Sequence, residues 1–194
     1  QQCDLFQGYS GHHWSLALYV FCRDQLLVAY LRPSNIDSAK HAGAILQFLV
    51  RRLREVWPKT RIVFRADSGF CRHWLMGWCE RRGVNYIVGL AKNGRLLAQA
   101  APLTDFAARL FERTQQKQRM FGEMRYAAGS WKRKRRVLIK AEHTAKGSNP
   151  RFVVTNIEGP SQTLYDELYC ARGEMENRIK EQQLDLCADR TSCH

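Results

Sequence analysis

The sequence is short of acid. Against 31 lysines and arginines it sets only 18 aspartates and glutamates, for a formal net charge of +13 and a pI near 9.8. Charge of that size bears on partners and solubility rather than on fold. The expected partner is a polyanion, and nucleic acid is the commonest one. Long apolar runs are also missing. Nothing approaches the roughly 20 residues needed to span a bilayer, so no membrane partner is expected. The seven cysteines include no C-x-x-C pair and their number is odd, which argues against both a disulfide framework and a zinc ribbon. They read as free thiols of a reducing cytoplasm. His12-His13 and His73 are too scattered for a metal cluster, and His41 reads as structural. There is no internal repeat and no low-complexity tract. The opening Gln1-Gln2-Cys3-Asp4 has no Met, basic n-region or apolar h-region. No secretory signal is therefore visible, and the chain reads as cut out of something longer.

What is present suits a globular protein. Hydrophobic residues make up 45% of 194 residues, enough for one sizeable core with an insertion or for two small domains. Two β-rich runs, Ser15–Cys22 and Gln25–Leu31, flank the polar pair Arg23-Asp24 and predict a hairpin. Ile45, Leu46, Leu49, Leu53 and Val56 recur at helical spacing, and Pro58 ends that helix. Thr60–Ala66 reads as a buried strand, Cys71–Arg82 as a helix closed by Gly83, and Val84–Leu90 as another strand. Those three elements form a βαβ unit, which predicts parallel strands.

After about Lys92 the character changes. Between Arg109 and Lys140 eleven basic residues face two acids, Glu112 and Glu123. Alternation at Met120–Tyr126, Arg136–Glu142 and Phe152–Asn156, with turns at Gly129-Ser130 and Gly147–Pro150, predicts antiparallel strands in a basic, β-rich module. Within it Trp131 heads the run Lys132-Arg133-Lys134-Arg135-Arg136, an aromatic beside charge that suits a nucleic-acid strand. An ordinary turn tryptophan beside a solvated charge run fits as well. A final helix is expected over Leu164–Leu186.

Two acids stand out. Asp67 lies just past a buried strand, where open α/β sheets place functional groups, and Ser68-Gly69 lets the backbone turn behind it. The competing reading is an Asp that caps the next helix. In the last helix Tyr169, Arg172, Glu176, Lys180 and Gln183 fall on one face. Ion pairs Arg172–Glu176 and Glu176–Lys180 on a solvated face would also account for that order.

Taken together, RADSGF at Arg65–Phe70, YLRPSNID at Tyr30–Asp37 and LYCARGEMENRIKEQ at Leu168–Gln182 resemble the DDE transposases of bacterial insertion sequences, closest to the insertion sequence 1380 group. The resemblance covers nearly the whole chain. It implies an α/β fold: an RNase H-like mixed sheet flanked by helices and interrupted by a β-rich basic insertion. The core would occupy residues 1–95, the insertion 96–160, and the C-terminal core helix 161–194. The implied chemistry is metal-dependent cleavage and transfer of DNA strands at transposon ends, with three acids holding two Mg²⁺ or Mn²⁺ ions.

By position Asp67 matches the second acid and Glu176 the third, within a Tyr-x2-Arg-x3-Glu signature formed by Tyr169, Arg172 and Glu176. The wider superfamily carries a Lys seven residues after that Glu; here the position holds Gln183, and the nearest Lys is Lys180. Arg172 is implied to contact phosphate, and Trp131 to hold a displaced base. The implied partners are double-stranded DNA, as terminal inverted repeats and target, and a second copy of the full-length enzyme. The implied location is the bacterial cytoplasm, at the nucleoid. The first acid is expected on a strand ahead of Gln1, so the chain is expected to be a fragment with an unpaired sheet edge and uncertain activity. A non-catalytic DNA-binding remnant, or a general nucleic-acid-binding protein, is the alternative that the charge alone would allow.

Overall fold

The computed structural model describes residues 6–7, 13–23, 25–33 and 35–171. By contacts the chain divides into two units, Gln1–Ile45 with Ala171–His194, and Leu46–Cys170.

In the first unit, strands β1 (Phe6–Gln7), β2 (His13–Cys22) and β3 (Gln25–Pro33) form an antiparallel sheet in that order. The expected hairpin is there. Arg23 makes its turn at φ 56, and the register shifts between Val20 and Phe21, a bulge that sharpens the twist. The YLRPSNID stretch is fastened from within. Arg32 is 2% exposed, and its Nη1 donates to the carbonyls of Ser38 at 2.9 Å and Lys40 at 2.7 Å. Asp37 Oδ1 accepts from the Ala39 amide at 2.7 Å. A buried guanidinium satisfied by carbonyls holds the bend that leads into helix α1 (Ala42–Val56). Burial lowers its pKa from the ordinary value.

The second unit is built on one mixed sheet. Its strands are β4 (Val63–Ala66), β5 (Asn85–Leu90), β6 (Gln118–Tyr126), β7 (Arg135–Thr144), β8 (Gly147–Ser148) and β9 (Arg151–Thr155). The order is β4-β5-β9-β7-β6, with β8 paired to β7. As the βαβ pattern predicts, β4 and β5 are parallel, joined through helix α2 (His73–Arg81). Gly83 ends that crossover at φ +61, a left-handed backbone that L side chains rarely adopt. The remaining pairings are antiparallel, and β9 joins β5 directly. The strands expected in the insertion therefore continue the sheet that carries β4 and β5.

Between β5 and β6 the sequence reading assigns no helix, yet helix α3 runs over Gly94–Thr114. Its interior Pro102 signals a break, because proline removes a helical hydrogen bond and crowds the preceding turn. Burial of Leu96, Ala100 and Ala107 on one face outweighs that cost. Asn93 caps its start, accepting from the Leu96 amide at 3.0 Å.

Strand parity sorts the core into two clusters. Ala66, Tyr86, Val88, Val137, Ile139, Phe152 and Val154 point one way, against Val50 of α1, Met76 and Cys79 of α2, and Leu96 and Ala100 of α3. Ile87, Leu138 and Val153 point the other way, against Ile157, Leu164 and Tyr165. The second face is covered by helix α4 (Ser161–Thr163) and the π-helical turn Leu164–Tyr169 that follows it, closed by the Cys170 amide on the Tyr165 carbonyl at 2.9 Å. Thus the start of the expected final helix is a wider turn. Cys170 and Ala171 continue as a turn, and the expected helix beyond Ala171 lies outside the described residues.

Candidate active site

Asp67 stands where strand β4 ends. Its extended backbone, φ −79 and ψ −175, caps the short 3-10 turn Ser68–Phe70, and its Oδ1 accepts from the Gly69 amide at 2.8 Å. Capping and exposure at the carboxyl end of a parallel strand therefore coexist in one carboxylate: one oxygen is fixed by backbone, and the residue remains part-exposed.

The neighbouring strand has no side chain at this level. A Cβ on Gly89 of β5 would lie 2.7 Å from the Tyr169 hydroxyl oxygen, 2.9 Å from the Ser68 amide nitrogen and 3.3 Å from the Asp67 carbonyl carbon. Real Cβ atoms essentially never come within 3.0 Å of another heavy atom, so the glycine is what lets all three approach. Asp67 and Tyr169, far apart in sequence, thereby meet over β5.

Several contacts hold Tyr169 there. Arg65, two residues before Asp67, donates from Nη1 to the Leu168 carbonyl at 3.0 Å. The Tyr169 ring lies 5.4 Å from that of Tyr165, which lies 5.6 Å from Phe121 on β6. Arg119 is over Phe121 at 4.8 Å and forks onto Asp166, with Nη1 to Oδ2 at 3.1 Å. Lys140 sits over the Tyr165 ring at 5.5 Å and pairs with Glu142 at 3.1 Å. Burial pushes the Tyr165 phenol up to about 12, so it stays neutral and keeps its packing at any ordinary pH. Of the acid-bearing signature, Tyr169 is the described member; Arg172, Glu176 and Lys180 lie outside the described residues. Among the described residues no group of three or more His, Cys, Asp or Glu side chains could hold a metal ion.

The basic run divides into two halves. Trp131 is 9% exposed, edge-on to Tyr126 at 5.7 Å and beneath the Arg135 guanidinium at 5.3 Å. Arg135 is buried and forks onto Glu80 of α2, Nε to Oε1 at 2.8 Å and Nη2 to Oε2 at 3.1 Å. Glu80 also accepts from Arg133 and, at 2.8 Å, from the Tyr86 hydroxyl. Arg136 pairs with Glu123 and donates to the carbonyls of Ile157 and Gly159, each at 2.7 Å. Lys132, Arg133 and Lys134 are exposed at the hairpin tip. The Arg135 guanidinium covers one face of the Trp131 ring and Arg133 is paired with Glu80, so the charge most available to a polyanion at this tip is that of Lys132 and Lys134.

The family model described as transposase DDE domain group 1 matches residues 1–194. The chain belongs to that family. No curated relative matches it. DDE-domain transposases are DNA-transposing enzymes that generally use divalent metal ions, and Asp67 has the hard carboxylate oxygen that such ions prefer. Among the described residues no helix is long and apolar enough to cross a membrane. The sequence reading assigns no role to Arg65 and Gly89, which the structure sets beside the Asp67 turn. The glycine had a readable signal: an isolated Gly within VNYIVGL marks a bulge or a close backbone approach. Arg65 had none, because nothing local tells which carbonyl a guanidinium will reach.

Proposed function

We propose that this chain carries the second and third acids of an insertion-sequence transposase of the insertion sequence 1380 group, on an RNase H-like core. Asp67 and Glu176 are the metal-binding carboxylates. The observation that carries this reading is the approach of the Tyr169 hydroxyl to the Asp67–Ser68 backbone across Gly89. A basic binding module has no need to bring a signature tyrosine onto a strand-end aspartate. Two divalent ions in the complete site would activate the attacking oxygen and stabilise the leaving one.

The chain's own residues do the rest. The Gly69 amide fixes one Asp67 oxygen, so the carboxylate keeps one orientation as DNA arrives. Arg172 contacts phosphate at the DNA end, Lys180 supplies a further cation toward the DNA, and the exposed Lys132–Lys134 tip tracks the backbone. Residues 96–160 serve as the insertion, and the full-length enzyme acts as a dimer on paired ends.

The test is cleavage of a labelled duplex carrying transposon ends with Mg²⁺ or Mn²⁺. It compares this chain and a version extended upstream of Gln1, each with Asp67→Asn and Glu176→Gln. Both substitutions are expected to reduce cleavage by more than the roughly 100-fold that loss of a supporting metal-site partner costs. Wild-type cleavage by either variant would remove that acid from the site. Tight, salt-dependent binding without cleavage in either version would favour the non-catalytic remnant.

A further inference from the structure

We infer that Arg65 and Gly89 are positioning residues that key the C-terminal segment onto the Asp67 turn. The inference rests on the reading of Asp67 and Glu176 given above. Arg65 and Asp67 are two residues apart at the end of β4, so their side chains leave the chain on the same side. That side is the face covered by Leu164 and Tyr165. From there Arg65 Nη1 reaches the Leu168 carbonyl at 3.0 Å, immediately before the signature tyrosine. On the next strand, Ala66 pairs with Val88, so Gly89 comes level with Asp67. The missing side chain lets the Tyr169 hydroxyl and the Asp67–Ser68 backbone share one space.

The segment is thus located at three points within four residues. Asp166 is gripped by Arg119, the Leu168 carbonyl by Arg65, and Tyr169 by the surface of Gly89. The contacts at 166–169 hold the Tyr169 hydroxyl against the Asp67 turn, so a shift of this segment moves the groups packed around that carboxylate. A plain packing role would need neither a charged donor on the catalytic strand nor a glycine level with the catalytic acid.

The test compares wild type, Arg65→Gln, Arg65→Lys, Gly89→Ala and Asp67→Asn. Amide hydrogen exchange is followed over residues 161–170 and, as an internal control, over β7 and β9. Metal-dependent cleavage of the end duplex is measured on the same substitutions placed in the version extended upstream of Gln1. Arg65→Gln and Gly89→Ala are expected to speed exchange over 164–170 by about tenfold or more while β7 and β9 keep their protection. They are expected to lower kcat by about 100-fold with KM little changed, the cost of a misplacement near 1 Å. Arg65→Lys, which keeps a charged donor, is expected to recover part of both. Wild-type exchange in Arg65→Gln overturns the inference whatever the cleavage assay gives, and the same variant guards against Gly89→Ala simply failing to fold. Faster exchange with undiminished cleavage overturns it too. Asp67→Asn reads the underlying assignment separately: it should abolish cleavage and leave exchange unchanged, and an active Asp67→Asn would sink the catalytic reading itself.

Discussion

Replacing Glu80 with Gln tests whether the basic run is structural in its buried half. Glu80 is 15% exposed and Arg135 7% exposed, and the two are joined by a forked pair. Arg133, the second arginine on Glu80, is 59% exposed, so its share is small. Glu80→Gln keeps the shape and one acceptor but leaves the Arg135 cation buried beside Trp131 without its counter-charge. Removing one partner of a buried pair costs about 3–5 kcal/mol, and the retained acceptor puts the expectation near 3 kcal/mol at pH 7. For a chain of this size that lowers Tm by roughly 6–12 °C.

The assay is urea unfolding at pH 7, repeated with Glu80→Gln combined with Arg135→Met. If the loss comes from a stranded charge, the double variant recovers much of it, because a buried pair exchanged for apolar groups is often neutral. The pH dependence adds a check on sign. Burial raises the Glu80 carboxyl, but hydrogen bonds from Arg135, Arg133 and Tyr86 outweigh it and hold the net value below the ordinary one. A depressed folded value means the stabilisation is present above the unfolded value near 4.3 and fades as pH falls through the folded one. The gap between wild type and Glu80→Gln should therefore hold from pH 7 to about 4.5 and close below it. A loss under about 1 kcal/mol at pH 7, or a double variant no better than the single, would refute the reasoning.

Two further outcomes follow from the same division of the run. Trp131→Ala should destabilise by about 3–5 kcal/mol, the usual cost of emptying a buried tryptophan site, while duplex binding at a temperature where the variant is folded stays unchanged; weakened binding by a folded variant would restore a direct role for the ring. Lys132→Gln with Lys134→Gln should leave stability within about 0.5 kcal/mol and reduce the slope of log binding constant against log salt by up to about 2. Fluorescence anisotropy on a duplex across a salt series reads that slope, and an unaltered slope would take the hairpin tip off the DNA.

Much of the fold was legible because its signals are local. The Arg23 turn, the Gly83 stop and the parallel β4–β5 unit each follow from a few adjacent residues with known backbone preferences. The α3 helix was not legible, since Pro102 speaks locally for a break while burial of Leu96, Ala100 and Ala107 is a tertiary gain. Nor was the direct pairing of β9 with β5, because strand alternation fixes which side chains share a face and says nothing about which strand lies alongside. Of the candidate residues, the position of Asp67 at a strand end was legible. The burial of Trp131 and Arg135 was not, because their anchor, Glu80, sits on α2 some fifty residues earlier.

The two faces of the sheet are unequal, and that inequality bears on where function can sit. Among the described residues fifteen, drawn from three helices, the sheet and two loops, form the larger cluster, whereas six form the smaller one under the segment that leads to the signature. Apolar burial scales with area, so the larger face supplies most of the stability. The smaller face is then free to be specified by polar and aromatic contacts that fix position more than they add stability: a forked Arg119–Asp166 pair, a carbonyl held by Arg65, a ladder of Phe121, Tyr165 and Tyr169. A surface that holds Tyr169 against the Asp67 turn needs contacts of that kind. Its residues can be selected for registry because the opposite face keeps the sheet folded.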